Sequence, residues 1–160
     1  MATLSVVVPL FAAQGQQKLV AGHVEQVHIY PGEFALRARI DTGANQASLN
    51  AVNVEKYAQD GQQWVRFALT NHAGRSILIE RPVRRIARIR RHGGLIQERE
   101  VLLLGICVGT VFKEVEVNLI NREGFNYQMV IGRGFLGEDF LVDPARSFLL
   151  RPDCADKSHN

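Results

Sequence analysis

The chain has 160 residues, of which 46% are apolar and 22% are charged. This balance is typical of a globular domain and excludes an intrinsically disordered chain. No apolar stretch approaches the roughly 18 residues that span a bilayer, so we expect no membrane segment.

The net charge of +3 comes from one short part of the chain. Six of the 19 basic residues are arginines within residues 81–91, which we call the basic segment, and the other 13 are outnumbered by 16 acidic residues. An electrostatic partner is therefore expected at the basic segment.

The N-terminal residues and the two cysteines bear on the compartment. Residues 4–13 have the length of a signal-peptide core, but no Lys or Arg precedes Lys18. Residues 1–18 are therefore either signal-like or a flexible segment.

Cys107 lies in an apolar stretch and Cys154 in a polar tail, a pattern that predicts no disulfide framework and favours a reducing compartment. We expect a cytoplasmic protein, or a periplasmic or exported one if residues 1–13 are a signal remnant.

From residue 19 onward, short stretches of alternating apolar and polar residues are separated by turn residues. This pattern predicts an antiparallel all-β domain over residues 19–152, followed by a polar tail at 153–160. The predicted strands are residues 19–29, 34–40, 63–70, 76–80, 83–89, 95–104, 114–119 and 128–131. The predicted helical segments are residues 54–59 and 134–140.

The strand at residues 34–40 leads directly into the sequence Asp41-Thr42-Gly43-Ala44. Such a position can present a carboxylate for acid or base chemistry. The alternative is a strand-end turn in which Asp41 accepts hydrogen bonds from backbone amides two residues on.

A second motif lies about ninety residues later in the chain, at residues 129–136, and contains Gly132 and Arg133. A strand ending in Asp-Thr-Gly-Ala, followed late in the chain by an apolar-apolar-Gly-Arg element, resembles the retroviral type of aspartic protease. With its continuation through residue 149, the chain more closely resembles the bacterial retropepsin-like aspartic protease family once labelled an ATP-dependent zinc protease. The similarity covers residues 22–150 and implies a closed acid-protease β-barrel with one short C-terminal helix.

The resemblance implies a role for each matching residue. Asp41 would be the catalytic acid or base. The hydroxyl of Thr42 would hold together the matching loops of two copies of the chain at a two-fold axis, and Gly43 would allow the turn of the loop. Ala44, Gly132 and Arg133 would support this loop. The retroviral enzymes carry Asp where this chain has Asn45, so Arg133 would keep a hydrogen bond in place of an ion pair.

The chain has a single Asp-Thr-Gly. Aspartic proteolysis needs two carboxylates that share one proton. The hypothesis therefore requires a homodimer that brings two copies of Asp41 together. We expect no metal and no cofactor, because the sequence has neither His-Glu-x-x-His nor a phosphate-binding Gly-x-x-x-x-Gly-Lys-Ser/Thr.

The basic segment has three interpretations. It could form a flap hairpin with a glycine tip, in which Arg88, Arg90, Arg91, Gly93 and Gly94 bind an acidic peptide. It could bind nucleic acid, which is disfavoured because no aromatic residue is interleaved for base stacking. It could also be a solvated face that Glu98 and Glu100 partly neutralise.

Two functions follow from these observations. The first is an aspartic peptidase that cleaves peptide or amide bonds in acidic, glutamate-rich substrates, since the resemblance implies proteins that accompany glutamate-adding ligases. The second is a non-catalytic β-barrel module that binds an acidic protein or peptide. Asn45 and the lack of a recognisable apolar, glycine-rich flap motivate this alternative.

Overall fold

The computed structural model describes residues 17–90, 93–121 and 124–154. These residues form twelve strands and one short helix. The strands are β1 (Leu19–Gly22), β2 (Val24–Tyr30), β3 (Phe34–Ile40), β4 (Ala47–Asn50), β5 (Glu55–Gln59), β6 (Gln62–Thr70), β7 (Ser76–Pro82), β8 (Arg85–Arg90), β9 (Ile96–Val108), β10 (Val111–Ile120), β11 (Met129–Ile131) and β12 (Phe140–Asp143), and the helix is α1 (Arg133–Leu136).

Six of the strands close into a barrel. They follow the order β10-β4-β11-β3-β2-β9, and the pairing of β9 with β10 completes the ring. The period-two pattern explains this arrangement most clearly in β3, where Phe34, Leu36, Ala38 and Ile40 are buried. The all-β barrel with one short helix is therefore confirmed.

The ring is not purely antiparallel, contrary to the sequence-based expectation. Strands β4 and β10 run parallel, as do β3 and β11, and β1 and β12 pair parallel outside the ring. Alternation of apolar residues indicates which face of a strand is buried. It does not indicate whether the neighbouring strand runs parallel or antiparallel, so the sequence pattern could not predict the parallel pairs.

Both helix predictions need correction. Residues 55–59 form strand β5, which pairs with β6 through the turn at Asp60 and Gly61. The C-terminal helix spans only Arg133–Leu136, and Phe140 begins β12, which pairs with β1. In both places pairing with a strand elsewhere in the chain overrode a weak local helix preference.

A three-stranded sheet, β5-β6-β7, packs beside the barrel. Val65, Phe67, Leu69 and Ile79 of this sheet belong to the main apolar core. The sheet is therefore part of the same packed domain.

The C-terminal segment is fastened to the barrel by polar contacts and a disulfide. The fully buried carboxylate of Glu25 accepts hydrogen bonds from the backbone amides of Gly22 (2.6 Å), Leu149 (3.1 Å) and Leu150 (3.1 Å). Cys107 and Cys154 form a disulfide across 47 residues, a loop length for which a disulfide contributes about 3–4 kcal/mol.

The prediction of no disulfide is therefore wrong. Cys107 lies in β9, and the amide of Asp153 donates to the carbonyl of Gly109 at 2.8 Å, which brings the neighbouring Cys154 to the same place. This long-range contact is invisible in the local composition around each cysteine. The disulfide removes the sequence argument for a reducing compartment, and the cytoplasmic location stays a prediction.

Within the described ranges, no helix is long and apolar enough to cross a membrane. The signal-like or flexible segment predicted at residues 1–18 lies almost wholly outside these ranges, of which the first starts at residue 17.

Candidate active site

The Asp-Thr-Gly loop, residues 41–44, begins where β3 ends. Parallel pairing places Ile40 beside Ile131 of β11, and the amide of Asp41 donates to the carbonyl of Ile131 at 2.9 Å. The two sequences that carried the family resemblance are thus direct neighbours in space.

The Asp41 carboxylate is oriented by its own loop. One oxygen, Oδ1, accepts hydrogen bonds from the amides of Gly43 at 2.9 Å and Ala44 at 3.3 Å. This is the strand-end turn that the sequence offered as the alternative to a catalytic role. The two interpretations are compatible, because the turn fixes the carboxylate and leaves the side chain partly exposed.

Gly132 supports the loop from beneath through backbone contact. A Cβ atom at Gly132 would lie 2.8 Å from the carbonyl oxygens of both Ala44 and Gln46. Real Cβ atoms do not approach that closely, so only glycine allows β11 and the loop to pack together at this point.

Arg133 joins the same contact. Its amide donates to the carbonyl of Ala44 at 2.9 Å, and its Nη1 donates to the carbonyl of Thr42 at 2.7 Å. The amide of Gly134 donates to the carbonyl of Asn45 at 2.9 Å. Thr42 and Gly43 themselves are exposed, so their outer surface is open to another chain.

Asp41 borders a pocket of about 380 Å³. The loop side contributes Ala44, Asn45 and Gln46, and three further strands contribute Ile89, Arg99 and Asn118. Of the described residues that line this pocket, Asp41 is the only carboxylate. A larger cavity of about 760 Å³ lies at the opposite end of β3, beside Tyr30 and Phe112, and is separate from this site.

The β8–β9 hairpin forms one wall of the pocket, and its two faces differ. Antiparallel partners share a face, so Ile89 and Gln97 lie on one side with Ala87 and Arg99. This side faces the pocket, since Ile89 and Arg99 line it.

The predicted peptide-binding arginines lie mainly on the other face. Arg88 pairs with Glu98 at 3.0 Å, and Arg90 stands opposite Ile96 on that outer side. Arg91 lies outside the described residues. Peptide binding by these arginines stays a prediction, whereas the sequence did not single out Arg99, which borders the pocket.

The tip of the hairpin combines two glycines with apolar side chains. Gly93 and Gly94 have φ values of 85° and 82°, a left-handed conformation that favours glycine. Leu95 and Ile96 follow and are 73% and 61% exposed. The glycine-rich, apolar tip that was not recognised in the sequence is present here.

At the base of the hairpin, Arg85 in β8 forms an ion pair with Glu116 in β10 at 2.5 Å. The hydrogen bond from Arg85 lowers the pKa of the Glu116 carboxyl below its ordinary value. Across the part of the chain that the structure describes, no cluster of three His, Cys, Asp or Glu side chains could hold a metal ion.

Comparison with known proteins agrees with this geometry. Residues 20–153 match the family model described as "RimB-like: Retropepsin-like aspartic endopeptidase RimB". The chain belongs to this family. The RimB-like match includes β3, the Asp-Thr-Gly loop, the hairpin and the Gly132-Arg133 element.

Curated relatives of this RimB-like chain are much longer. A protein from Shewanella halifaxensis named "Probable alpha-L-glutamate ligase" is 36% identical over 74% of this chain and 27% of its own length. A protein of the same name from Desulfotalea psychrophila is 29% identical over 69% of this chain and 25% of its own length. The chain thus spans about a quarter of the curated relatives it matches.

A solved structure has the same fold. The crystal structure of Lpg0085 from Legionella pneumophila, described as a protein of unknown function (DUF785), superimposes with a TM-score of 0.71 at 29% identity. The similarity covers 84% of this chain and all of that one.

Proposed function

We propose that this chain is one half of a homodimeric aspartic peptidase that hydrolyses peptide or amide bonds in acidic, glutamate-rich substrates. The observation that carries the proposal is the Asp41 carboxylate, which a backbone-fixed loop holds at the edge of an open pocket. Membership of the RimB-like family supports the same chemistry.

The dimer follows from the chemistry. A second carboxylate must lie about 3 Å from Asp41 so that the two share one proton. Since the described residues that line the pocket offer no other carboxylate, the second Asp41 would come from another copy of the chain. The exposed Thr42 and Gly43 are the residues that would meet across the two-fold axis.

Each proton has a place in this reaction. The ionised carboxylate takes a proton from water, whose oxygen bonds to the scissile carbonyl carbon, while the protonated carboxyl donates to the carbonyl oxygen. As the C–N bond breaks, the amide nitrogen takes the proton that the first carboxylate had accepted from water, and one hydroxyl of the diol returns its proton to the second carboxylate, so the dyad again holds one proton. The products are a carboxylic acid and an amine.

The glutamate preference has two supports. The curated relatives contain a similar region within longer chains named glutamate ligases. Arg99 also brings a positive charge to the pocket beside Asp41. A hydrolase that acts on the glutamate extensions a ligase makes would use both features.

The decisive test compares the wild-type protein with Asp41→Asn. We expect hexaglutamate and a peptide library, digested between about pH 4 and 7, to yield products only with the wild type. The rate with Asp41→Asn should fall by about a thousandfold or more, because asparagine can neither accept nor share the proton. Asp60→Asn is the matched control, because Asp60 lies in the exposed β5–β6 turn.

Mixing experiments test the shared dyad separately. When wild type and Asp41→Asn exchange subunits in equal amounts, activity should fall to about a quarter of that of the same total amount of wild type, because only one dimer in about four keeps both carboxylates. A fall to about half would show independent protomers and contradict the dimeric dyad. Unchanged cleavage by Asp41→Asn would contradict the aspartic mechanism itself.

The non-catalytic binding module remains the second candidate, and Asn45 beside the pocket is the observation that favours it. In that case hexaglutamate would bind but yield no product that depends on Asp41.

A further inference from the structure

Arg99 is the basic residue whose position is best suited to read a substrate side chain at the Asp41 pocket. It lies in β9 directly opposite Ala87, on the face of the hairpin that turns toward the pocket. It lines the pocket together with Asp41. Both groups therefore border the space that a substrate side chain would enter.

The guanidinium of Arg99 is oriented by two amide side chains. Its Nε and Nη2 donate to Oε1 of Gln97 at 3.1 and 2.8 Å, and its Nη1 donates to Oδ1 of Asn118 at 2.9 Å. Asn118 is buried and is itself held by the carbonyl of Ala47 at 2.8 Å. The arginine is therefore positioned before a substrate arrives, which lowers the entropy that binding costs.

Gln97 and Asn118 are neutral amides, so these contacts give the guanidinium an orientation. The side chain that they orient borders the same pocket as Asp41.

A substrate carboxylate would otherwise be disfavoured in this pocket. Asp41 is negative when ionised, and like charges at close range repel. A cation in the same pocket reverses that preference, and a planar guanidinium binds a carboxylate through charge-assisted hydrogen bonds.

We propose that Arg99, oriented by Gln97 and Asn118, binds the carboxylate of one substrate glutamate and so determines the acidic specificity of the site. This inference rests on the proposed function, because it assigns the specificity of the same pocket. The pocket would then take Glu in preference to Gln, which has the same shape without the charge.

Binding measurements in the Asp41→Asn background test this assignment without relying on turnover. The probes are labelled hexaglutamate and six variants of it, in each of which one glutamate is replaced by glutamine. We expect one or two of the six replacements, at most one for each Arg99 of the dimer, to weaken binding about tenfold in the Asp41→Asn protein. The same replacements should have no effect when Arg99→Gln is added, because the partner of each carboxylate is gone.

Two further variants separate recognition from folding. Arg75→Gln removes an exposed arginine between β6 and β7, away from the pocket, and should keep the tenfold discrimination. Arg99→Lys keeps the charge but loses the planar donor geometry, so an intermediate discrimination is expected. Thermal melts of each variant show whether a loss of binding reflects unfolding.

The outcomes distinguish this inference from the proposed function. Discrimination that persists in Arg99→Gln, or that disappears equally in Arg75→Gln, overturns the role of Arg99 even if Asp41 is catalytic. Cleavage that survives Asp41→Asn contradicts the peptidase mechanism, while the binding cycle still decides what Arg99 does.

Discussion

The Asp-Thr-Gly loop and the β8–β9 hairpin border the same pocket, but the barrel holds them in different ways. Backbone hydrogen bonds from Asp41, Arg133 and Gly134 fix the loop against the end of β11. The hairpin extends beyond the ring, since β8 pairs with β9 alone, and its tip exposes Leu95 and Ile96.

This difference suits two separate tasks. A catalytic carboxylate must be placed to a fraction of an ångström, because a small misplacement of a reacting group costs large factors in rate. A hairpin that covers a peptide must open and close, which requires few contacts with the body of the protein. Substitutions in the two regions should therefore affect different measurements.

Gly132→Ala should have the largest effect, because it disturbs the packing that fixes the Asp-Thr-Gly loop against the end of β11. The new Cβ would meet the carbonyl oxygens of Ala44 and Gln46 at 2.8 Å, and backbone cannot move aside as a flexible side chain can. We expect a loss of about 3 kcal/mol in the free energy of unfolding. Activity should fall about a hundredfold in the fraction that remains folded. Denaturant titration and peptide cleavage measure the two effects.

Gly134→Ala provides the matched control one residue beyond Arg133. Its Cβ would lie 3.2 Å from the carbonyl of Asn45, a contact that a shift of a few tenths of an ångström relieves. Alanine is also the better helix former at this position. If both substitutions lowered stability equally, the close packing of Gly132 under the loop would not be what positions Asp41.

Much of the barrel was predictable because its strands have one buried and one exposed face. Strand β3 has the predicted limits, and β6, β7 and β9 overlap their predicted segments. Strands β4 and β12 were missed because they are four residues long and show no full alternation. Their existence depends on partners far away in the sequence.

The candidate site was predictable in part for a similar reason. Asp41 and Gly132 belong to recognisable sequences, and the barrel brings them together. Arg99 carried no such signal, because its role depends on which face of β9 it occupies. The alternation of Gln97, Arg99 and Val101 against Glu98 and Glu100 was the available clue, but only the register with β8 shows which face meets the pocket.

Substitutions at the hairpin tip should have a smaller effect of another kind. If the hairpin acts as a flap, we expect the double variant Leu95→Ser, Ile96→Ser to raise KM for hexaglutamate about tenfold, since the flap would lose its exposed apolar surface. The free energy of unfolding should change by less than about 0.5 kcal/mol, because both side chains are exposed. Leu78→Ser, at a 63% exposed position in β7, should leave both quantities unchanged. A tip variant with normal KM would indicate that the hairpin does not act on substrate.

The ion pair between Arg85 and Glu116 should give the smallest effect, seen only as a pH dependence of stability. The hydrogen bond from Arg85 lowers the pKa of Glu116 in the folded protein below the ordinary value of 4.5. The pair therefore stabilises the fold above about pH 4.5, and this contribution is lost as the pH falls through the lowered pKa. Glu116→Gln should flatten the decline in Tm between about pH 6 and pH 3 relative to wild type. Glu98→Gln, which removes the exposed pair with Arg88, should follow the wild-type curve. Parallel curves for wild type and Glu116→Gln would show that the base of the hairpin gains nothing from this pair, and that β8 is held to the barrel by its pairing with β9 alone.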